Sequence, residues 1–421
     1  MSHNLPINID INYLARVEGE ASLSIDLDKE LGIKLKVFEP PRFFEGFLVG
    51  RKYDEVGDIV SRICGICPVS HMTTAIQAVE KAMDIKVSEQ TIVLRKIMSI
   101  SQIVASHLIH LYMLAMPDYY GYSGIPAMLS NFNEEVGRIL KIKEVINKLT
   151  GLIGGRALHP VTSLPGGFTS TPSDKDIKAF LKLLNGIKQD AVEVVKDIFR
   201  FKVPDFHSDS EYAALDSDDE EYAINGGRLV SSQGLNIKIE DYREYFKESQ
   251  VKYAFTKPSI IKRYSSFMVG ALARLNIKFD KLLNETKAIA QETGFSLPND
   301  NPFYNNLAQS LEVVDGIERC IRLIESHSFK DEEFHVEINE GEGSSMTEAP
   351  RGLLYHRYRI DQKGVVEEAD IVTPTSHNFL NIEKDLKNLI KENIHQQKAD
   401  LILLSEQLVR AYDPCFSCSV H

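Results

Sequence analysis

Asp413-Pro414-Cys415-Phe416-Ser417-Cys418-Ser419-Val420-His421 closes the chain, and its counterpart stands near the other end: Arg62-Ile63-Cys64-Gly65-Ile66-Cys67, with His71 four residues on. Four of the five cysteines fall into these two Cys-x-x-Cys pairs. One such turn offers two sulfurs to a metal ion, so two turns supply four thiolates, a set that suits zinc, iron or nickel. Structural zinc sites staple short loops, whereas here most of the chain separates the pairs. Two independent redox turns would need a βαβ context, which neither pair has. If the pairs converge, the fold must bring its two ends together.

The chain's 421 residues allow one large core or two smaller ones. Its hydrophobic share of 43% and charged share of 26% are those of an ordinary globular protein. A net charge of -12 argues against nucleic acid as the main partner, since phosphate recognition needs a basic surface. Met1 to Ile11 is polar and lacks the pattern of a signal peptide. The best apolar run, Ile92 to Met116, is interrupted by Arg95, Lys96, Ser99, Gln102, His107 and His110. It reads as a buried helix, so no transmembrane segment is expected. These features predict a cytoplasmic protein with reduced thiols, and favour metal or redox roles for the cysteines over disulfides.

The pattern along the chain predicts a mainly α (α+β) fold, a long-helix bundle core with small peripheral β-sheets. A single catalytic domain spans 1–421. Residues 1–53 form its β-rich part, from the alternation in Ala21 to Leu27 and Ile33 to Val37. Residues 54–330 form a helical core, with helices over 70–83, 88–116, 132–150, 174–200, 264–293 and 303–327. Ser173, ahead of Asp174 and Asp176, is the N-cap of the fourth. Within this core 204–260 is irregular, and its acidic run (Asp216, Asp218, Asp219, Glu220, Glu221) reads as a solvated loop. Residues 331–421 hold a β-hairpin (Leu353 to Ile360, Val365 to Ile371), helices over 381–394 and 398–411, and the second metal motif. Cys320 sits alone on a helical pattern and reads as core.

With both motifs in hand, the chain resembles the large subunit of the nickel–iron hydrogenases. Their pattern is Arg-x-Cys-Gly-x-Cys-x-x-x-His near the N-terminus and Asp-Pro-Cys-x-x-Cys-x-x-His at the C-terminus. Both are complete here, and the resemblance runs from about Arg16 to His421. It implies reversible heterolytic cleavage of H2 at a centre in which Cys64, Cys67, Cys415 and Cys418 bind nickel. Cys67 and Cys418 would bridge to an iron carrying carbon monoxide and cyanide. Heterolysis needs a base within reach of the metal. The resemblance points to Cys415 as first proton acceptor, with Arg351 as the alternative.

Other positions match one by one. Arg16-Val17-Glu18-Gly19-Glu20 resembles the segment whose glutamate relays protons; without that motif, Glu18 would read as an exposed strand carboxylate. Glu45, with the imidazole of His421 and the backbone carbonyl near Ile371, matches the ligands of a magnesium ion. Arg351, in Glu348-Ala349-Pro350-Arg351-Gly352, would lie over the diatomic ligands with its fixed set of donors. Thr375 would donate to a cyanide nitrogen, and Asp413 would pair with Arg351. His71 would tune a thiolate. Gly154-Gly155-Arg156, His159 and Pro165-Gly166-Gly167 resemble a structural segment near the site.

Two departures stand out. Many members carry an Asp-His pair on the long helix whose aspartate contacts the arginine; this chain has Ser106-His107. Members also usually extend beyond the final histidine, so an end at His421 is either a processed form or an encoded end; the need for the metal to enter before the site closes favours processing.

The short length and Pro41-Arg42-Phe43-Phe44-Glu45 resemble the soluble, multi-subunit hydrogenases. Without a Gly-x-Gly-x-x-Gly fingerprint or a further cysteine cluster, no iron–sulfur centre or flavin is expected in this chain. Electrons would leave through an iron–sulfur small subunit and further flavin or iron–sulfur subunits, to NAD(P), ferredoxin or a deazaflavin. The rival reading is a quinone-site or scaffold subunit of a respiratory complex, which shares this fold without the metal; retention of all four cysteines argues against it.

Overall fold

The computed structural model describes residues 8–27, 31–217, 222–262 and 265–421. Its core is built on long helices. Pro68–Met83 starts directly after Cys67, with proline in the first turn, where the missing N–H would have no helical partner anyway. Glu89–Ile109 starts at Ser88, whose Oγ accepts the Thr91 N–H at 3.1 Å, and runs into a π-helical turn, His110–Ala115. Helices Asn133–Gly154 and Asn305–Ser326 pack on it. Ile97, Ile100, Val104 and Leu108 recur at helical spacing and are fully buried, each contributing roughly 1.5–3 kcal/mol by burial. Gly316 allows the crossing, because a Cβ there would lie 2.7 Å from Val104 Cγ2. The stretch Glu89–Tyr119 is long and apolar enough to cross a membrane, yet 78% of its window is buried inside the protein, as a core helix should be.

Small separate sheets surround this bundle, in agreement with the expected fold class. Strands Asn8–Ile11, Ala21–Asp26 and Gly32–Val37 form an antiparallel sheet in which Ala21, Leu23 and Ile25 face the core. A second antiparallel sheet, Gly341–Ala349, Gly352–Ile360 and Val366–Val372, lies against the Pro68–Met83 helix. The contact is close because two strand residues lack side chains. A Cβ on Gly343 would fall 2.2 Å from the Ala82 nitrogen, and one on Gly341 2.3 Å from the Ala82 oxygen. This sheet ends at Ala349 and restarts at Gly352, placing Arg351 in the tight turn between.

Several segments differ from expectation. The predicted hairpin at 353–373 is the latter two-thirds of that three-stranded sheet; Gly341–Ala349, with its glycines and serines, carries no strand-like alternation. The segment 204–260 is not an irregular loop. Glu211–Asp216, Arg228–Ser231 and Asn236–Ile237 form a sheet with Phe267–Met268, and Phe246–Glu248 pairs with Ser259–Ile261. These strands are two to six residues long, too short for a period-two signal to stand out, and Glu211–Asp216, the longest, is buried almost throughout. Asp216 ends the first of them, while Asp218, Asp219, Glu220 and Glu221 lie outside the described residues. The helix expected over 174–200 breaks at Gly186-Ile187, although Ser173 caps its first half as expected. That expected over 264–293 is two shorter helices, Ala271–Lys278 and Asn284–Glu292. The helix expected from 381 begins at Pro374, a residue suited to a helix start.

The Gly343 contact yields a stability prediction. Gly343→Val should lower stability by about 1–3 kcal/mol through overpacking. Thermal unfolding checks it, and an unchanged midpoint would contradict direct packing of strand on helix.

Candidate metal centre

The two chain ends meet through backbone contacts. Glu18 and Cys415 form a short parallel bridge, with the Phe416 N–H donating to the Glu18 carbonyl at 2.8 Å. Gly19 makes that approach possible. Its φ is +88°, and a Cβ would sit 2.5 Å from the Ser417 nitrogen. Arg42 ties both cysteine loops together, its Nη2 donating to the Ile63 carbonyl at 2.8 Å and to the Ser417 carbonyl. Further in, Arg410 donates to Ala15 O at 2.7 Å and to both oxygens of Asp118, which also receives Arg16.

All four predicted cysteines converge. Cys64 Sγ lies 3.7 Å from Cys415 Sγ, Cys67 Sγ 3.5 Å from Cys418 Sγ, and Cys415 Sγ 2.7 Å from Cys418 Sγ. Every sulfur is within 4.8 Å of the others, and all four residues are buried. The Ile66 and Cys67 N–H groups both point at Cys64 Sγ at 3.3 Å. Hydrogen bonds from the neighbouring thiols, Cys415 first, hold Cys64 well below the ordinary thiol range. Burial, followed by the adjoining sulfurs, pushes Cys415 well above it. Four sulfurs in one dry space cannot all ionise unaided, and a divalent cation removes that conflict. Cys320 is buried elsewhere, as expected for a core residue, with its thiol pushed up to about 12 by burial.

Glu18 and Arg351 flank the cluster. Cys415 Sγ donates to Glu18 Oε2 at 2.7 Å. Burial, and then the charge of Cys64, raise the Glu18 carboxyl above its usual range, so it is a competent proton acceptor and donor. Glu18 is therefore not an exposed strand carboxylate. Arg351 donates through Nε to Asp413 Oδ1 at 2.9 Å, as expected for that pair. Burial alone would lower the guanidinium's affinity for its proton, but Asp413 and the cysteine sulfurs hold it firmly protonated. Thr375 Oγ1 accepts the Cys415 N–H at 2.9 Å, leaving its own proton free to donate. Arg351 and Thr375, with Ala349, Pro350, Pro374, Cys67, Cys415 and Cys418, enclose a small, almost wholly apolar cavity beside the sulfurs.

A second group forms next to the last residue. Glu45 Oε1 accepts the Ile371 N–H at 2.9 Å. His421 Nδ1 lies 2.8 Å from the Cys418 carbonyl, and Nε2 lies 3.0 Å from the Ile371 carbonyl. Glu45, Ile371 and His421 are thus together. His71 is fully buried, and burial pushes its imidazole down to about 3. Its Nδ1 faces His356 Nε2 at 3.3 Å, and His356 Nδ1 faces the Tyr358 hydroxyl at 2.6 Å. His159 Nδ1 contacts the Ser61 carbonyl at 2.9 Å, joining its loop to the helix that leads into Cys64.

Sequence reasoning missed the groups behind this site. Gln309 Nε2 donates to Asp413 Oδ2 at 3.0 Å, and His110 backs Gln309. Arg274 is fully buried, pairs with Glu312 and Glu348, and donates to the Ala349 and Pro350 carbonyls at 3.2 and 3.1 Å, fastening the turn that carries Arg351. Of the Ser106-His107 pair, His107 Nε2 meets Glu312 Oε2 at 2.8 Å, while Ser106 Oγ is buried with no hydrogen-bond partner among the described residues. A lone glutamine or histidine within an apolar helix reads as core, and only the Glu-x-Pro-Arg segment hinted at partners nearby.

The family model described as nickel-dependent hydrogenase matches residues 42–126 and 303–421, the segments that carry both cysteine pairs. Sulfhydrogenase 1 subunit alpha of Pyrococcus furiosus is 36% identical over 431 residues, covering 99% of each chain. Sulfhydrogenase 2 subunit alpha of the same organism is 34% identical, covering 98% of each. Among solved structures, an NAD+-reducing [NiFe]-hydrogenase in the H2-reduced state superposes with a TM-score of 0.86 at 23% identity, over 99% of this chain and 100% of that one, which supports the fold. Four converging cysteines, the fold and these relatives lead to one conclusion: the chain belongs to the nickel-dependent hydrogenase family, as the catalytic large subunit of a nickel–iron hydrogenase.

Proposed function

We propose that this subunit splits H2 into protons and electrons with Cys415 and Glu18 as its proton exit. The observation that carries this reading is the 2.7 Å hydrogen bond from Cys415 Sγ to Glu18 Oε2 at the edge of a buried four-sulfur cluster. When bound, the nickel–iron centre supplies an open coordination position and the electron sink for cleaving H2 heterolytically. Cys64, Cys67, Cys415 and Cys418 would hold nickel. Cys67 and Cys418, which line the apolar cavity together with Cys415, would also contribute to holding the iron, as the resemblance implies. Carbon monoxide and cyanide on that iron fit the cavity's chemistry. Arg351 Nη1 is buried with no hydrogen-bond partner among the described residues, and the Thr375 hydroxyl keeps a donor. The proton from H2 is taken by Cys415 Sγ and handed to Glu18 Oε2; the Arg351 guanidinium is the alternative first acceptor only if it transiently gives up a proton.

Magnesium fits the second group. Burial favours the neutral His421 imidazole; with its proton on Nδ1, donated to the Cys418 carbonyl, Nε2 would keep a lone pair 3.0 Å from the Ile371 carbonyl oxygen. Two acceptors pointed at each other are relieved by a cation, and Glu45 supplies a carboxylate beside them. We place His71 behind the cluster as an orienting residue, through its contact with His356.

The curated relatives are named as subunits, and the electrons from this site need partners too. An iron–sulfur small subunit is the nearest one. Phe43, Phe47 and Val49 around the first short helix, and Leu158 and Val161 in the His159 loop, are exposed apolar residues suited to such docking. Further flavin or iron–sulfur subunits would pass electrons to NAD(P), ferredoxin or a deazaflavin. Free, buried thiols accord with a reducing compartment such as the cytoplasm.

Two outcomes follow for the intact complex. Glu18→Gln should keep its nickel but slow H/D exchange by at least about 100-fold, the scale of a lost acid–base group; isotope exchange by mass spectrometry at the wild-type rate would remove Glu18 from the route. His421→Ala should cut magnesium affinity by about 10–100-fold, as loss of a ligand or its support does; magnesium retained through dialysis at wild-type level would end that assignment.

A further inference from the structure

Asp413 has two oxygens, and each meets a donor. Arg351 Nε serves Oδ1 at 2.9 Å, and Gln309 Nε2 serves Oδ2 at 3.0 Å. Because an ionised carboxylate only accepts, Gln309 must turn its NH2 to Asp413 and its amide oxygen away. That oxygen faces His110 Nδ1. The other nitrogen of the ring, His110 Nε2, stands 2.7 Å from the backbone carbonyl of Arg410. Both ring nitrogens of His110 therefore have a polar partner. His110 Nδ1 is also 4.0 Å from Asp413 Oδ2.

A glutamine and a histidine in a core need only some polar partner. What distinguishes these two is direction: every atom is committed by the Asp413 carboxylate at one end and the Arg410 carbonyl at the other. Both residues are fully buried. His110 is also the first residue of the π-helical turn that interrupts the long helix, a distortion that recurs at functional sites. Asp413 is the carboxylate that holds Arg351. Its orientation then rests on Gln309.

We propose that Gln309 and His110 are positioning residues of the reaction: His110 orients the Gln309 amide, Gln309 holds Asp413, and Asp413 holds Arg351. The inference rests on the reading of Arg351 as the donor beside the metal cluster. Arg351 is the group that acts at the cavity; Gln309 and His110 act through Asp413. With them in place Nε of Arg351 is anchored and its unpartnered Nη1 stays available.

The test uses the assembled enzyme carrying Gln309→Met, which keeps size and removes the amide, and His110→Asn, which keeps one donor and removes the ring nitrogen that reaches the Arg410 carbonyl. Gln309→Met should retain nickel at the wild-type level while kcat for H2 oxidation falls at least about tenfold and KM changes less than about twofold, the signature of lost transition-state positioning. His110→Asn should fall between Gln309→Met and wild type. Wild-type kcat in Gln309→Met, or nickel lost together with activity, would each overturn the proposal. Arg351→Lys separates this from the underlying reading. Impaired Arg351→Lys with unaffected Gln309→Met would sink the inference alone, whereas unimpaired Arg351→Lys would sink the role of the arginine itself.

Discussion

Four sulfurs from opposite ends of the chain share one dry space, and the fold is arranged around that constraint. Gathering four buried thiols without an ion leaves their protons in conflict, seen in the opposite displacements of Cys64 and Cys415. A cation resolves it, so the protein acts as a clamp whose jaws are residues 64–67 and 415–418. Each jaw is held from behind. Arg42 bonds to both loops, Gly19 lets the Glu18 strand reach Cys415, and Arg410 secures the approach of the last helix through Asp118. None of these contacts touches a metal, yet together they set where the sulfurs stand.

Beyond the sulfurs, the site is a set of buried charges paired in series. Arg351 pairs with Asp413, and Arg274 with Glu312 and Glu348, all almost free of solvent. Such pairs add little net stability over an apolar core, but removing one partner strands the other at a cost of about 3–5 kcal/mol. Their value here is orientation. Arg274 grips the carbonyls on either side of the Ala349–Pro350 bond, so the next residue, Arg351, emerges over the cavity in one direction. Glu18 is the exception, a carboxylate left against a thiol with its affinity for protons raised by burial. A carboxyl so placed suits the relay proposed for it, which has to hold a proton and release it.

Much of this was legible in the chain because function fixed residue types at fixed spacings. The cysteines, Glu18, Glu45, Arg351, Thr375, Asp413 and His421 stand in short motifs, and the structure brings them to the two places those motifs imply. The long helices carried a clear period, and Lys398–Ala411 coincides with its prediction. What stayed hidden had no period to show. The strands between 211 and 268 are short, the longest of them buried almost throughout, and Gly341–Ala349 relies on glycines to lie against a helix. Gln309, His110 and Arg274 were invisible for another reason: a polar residue inside an apolar helix acquires meaning only from what faces it, and their partners lie 38 or more residues away along the chain.

The central claim is that one buried four-cysteine site, made by both chain ends, holds nickel together with iron. Elemental analysis of the complex purified without oxygen tests it directly, by counting nickel, iron and zinc against this chain. About one nickel per chain with iron present is the expected result. Zinc at about one per chain without nickel would contradict it and make the cysteines a structural staple, as would a fully active complex containing no nickel.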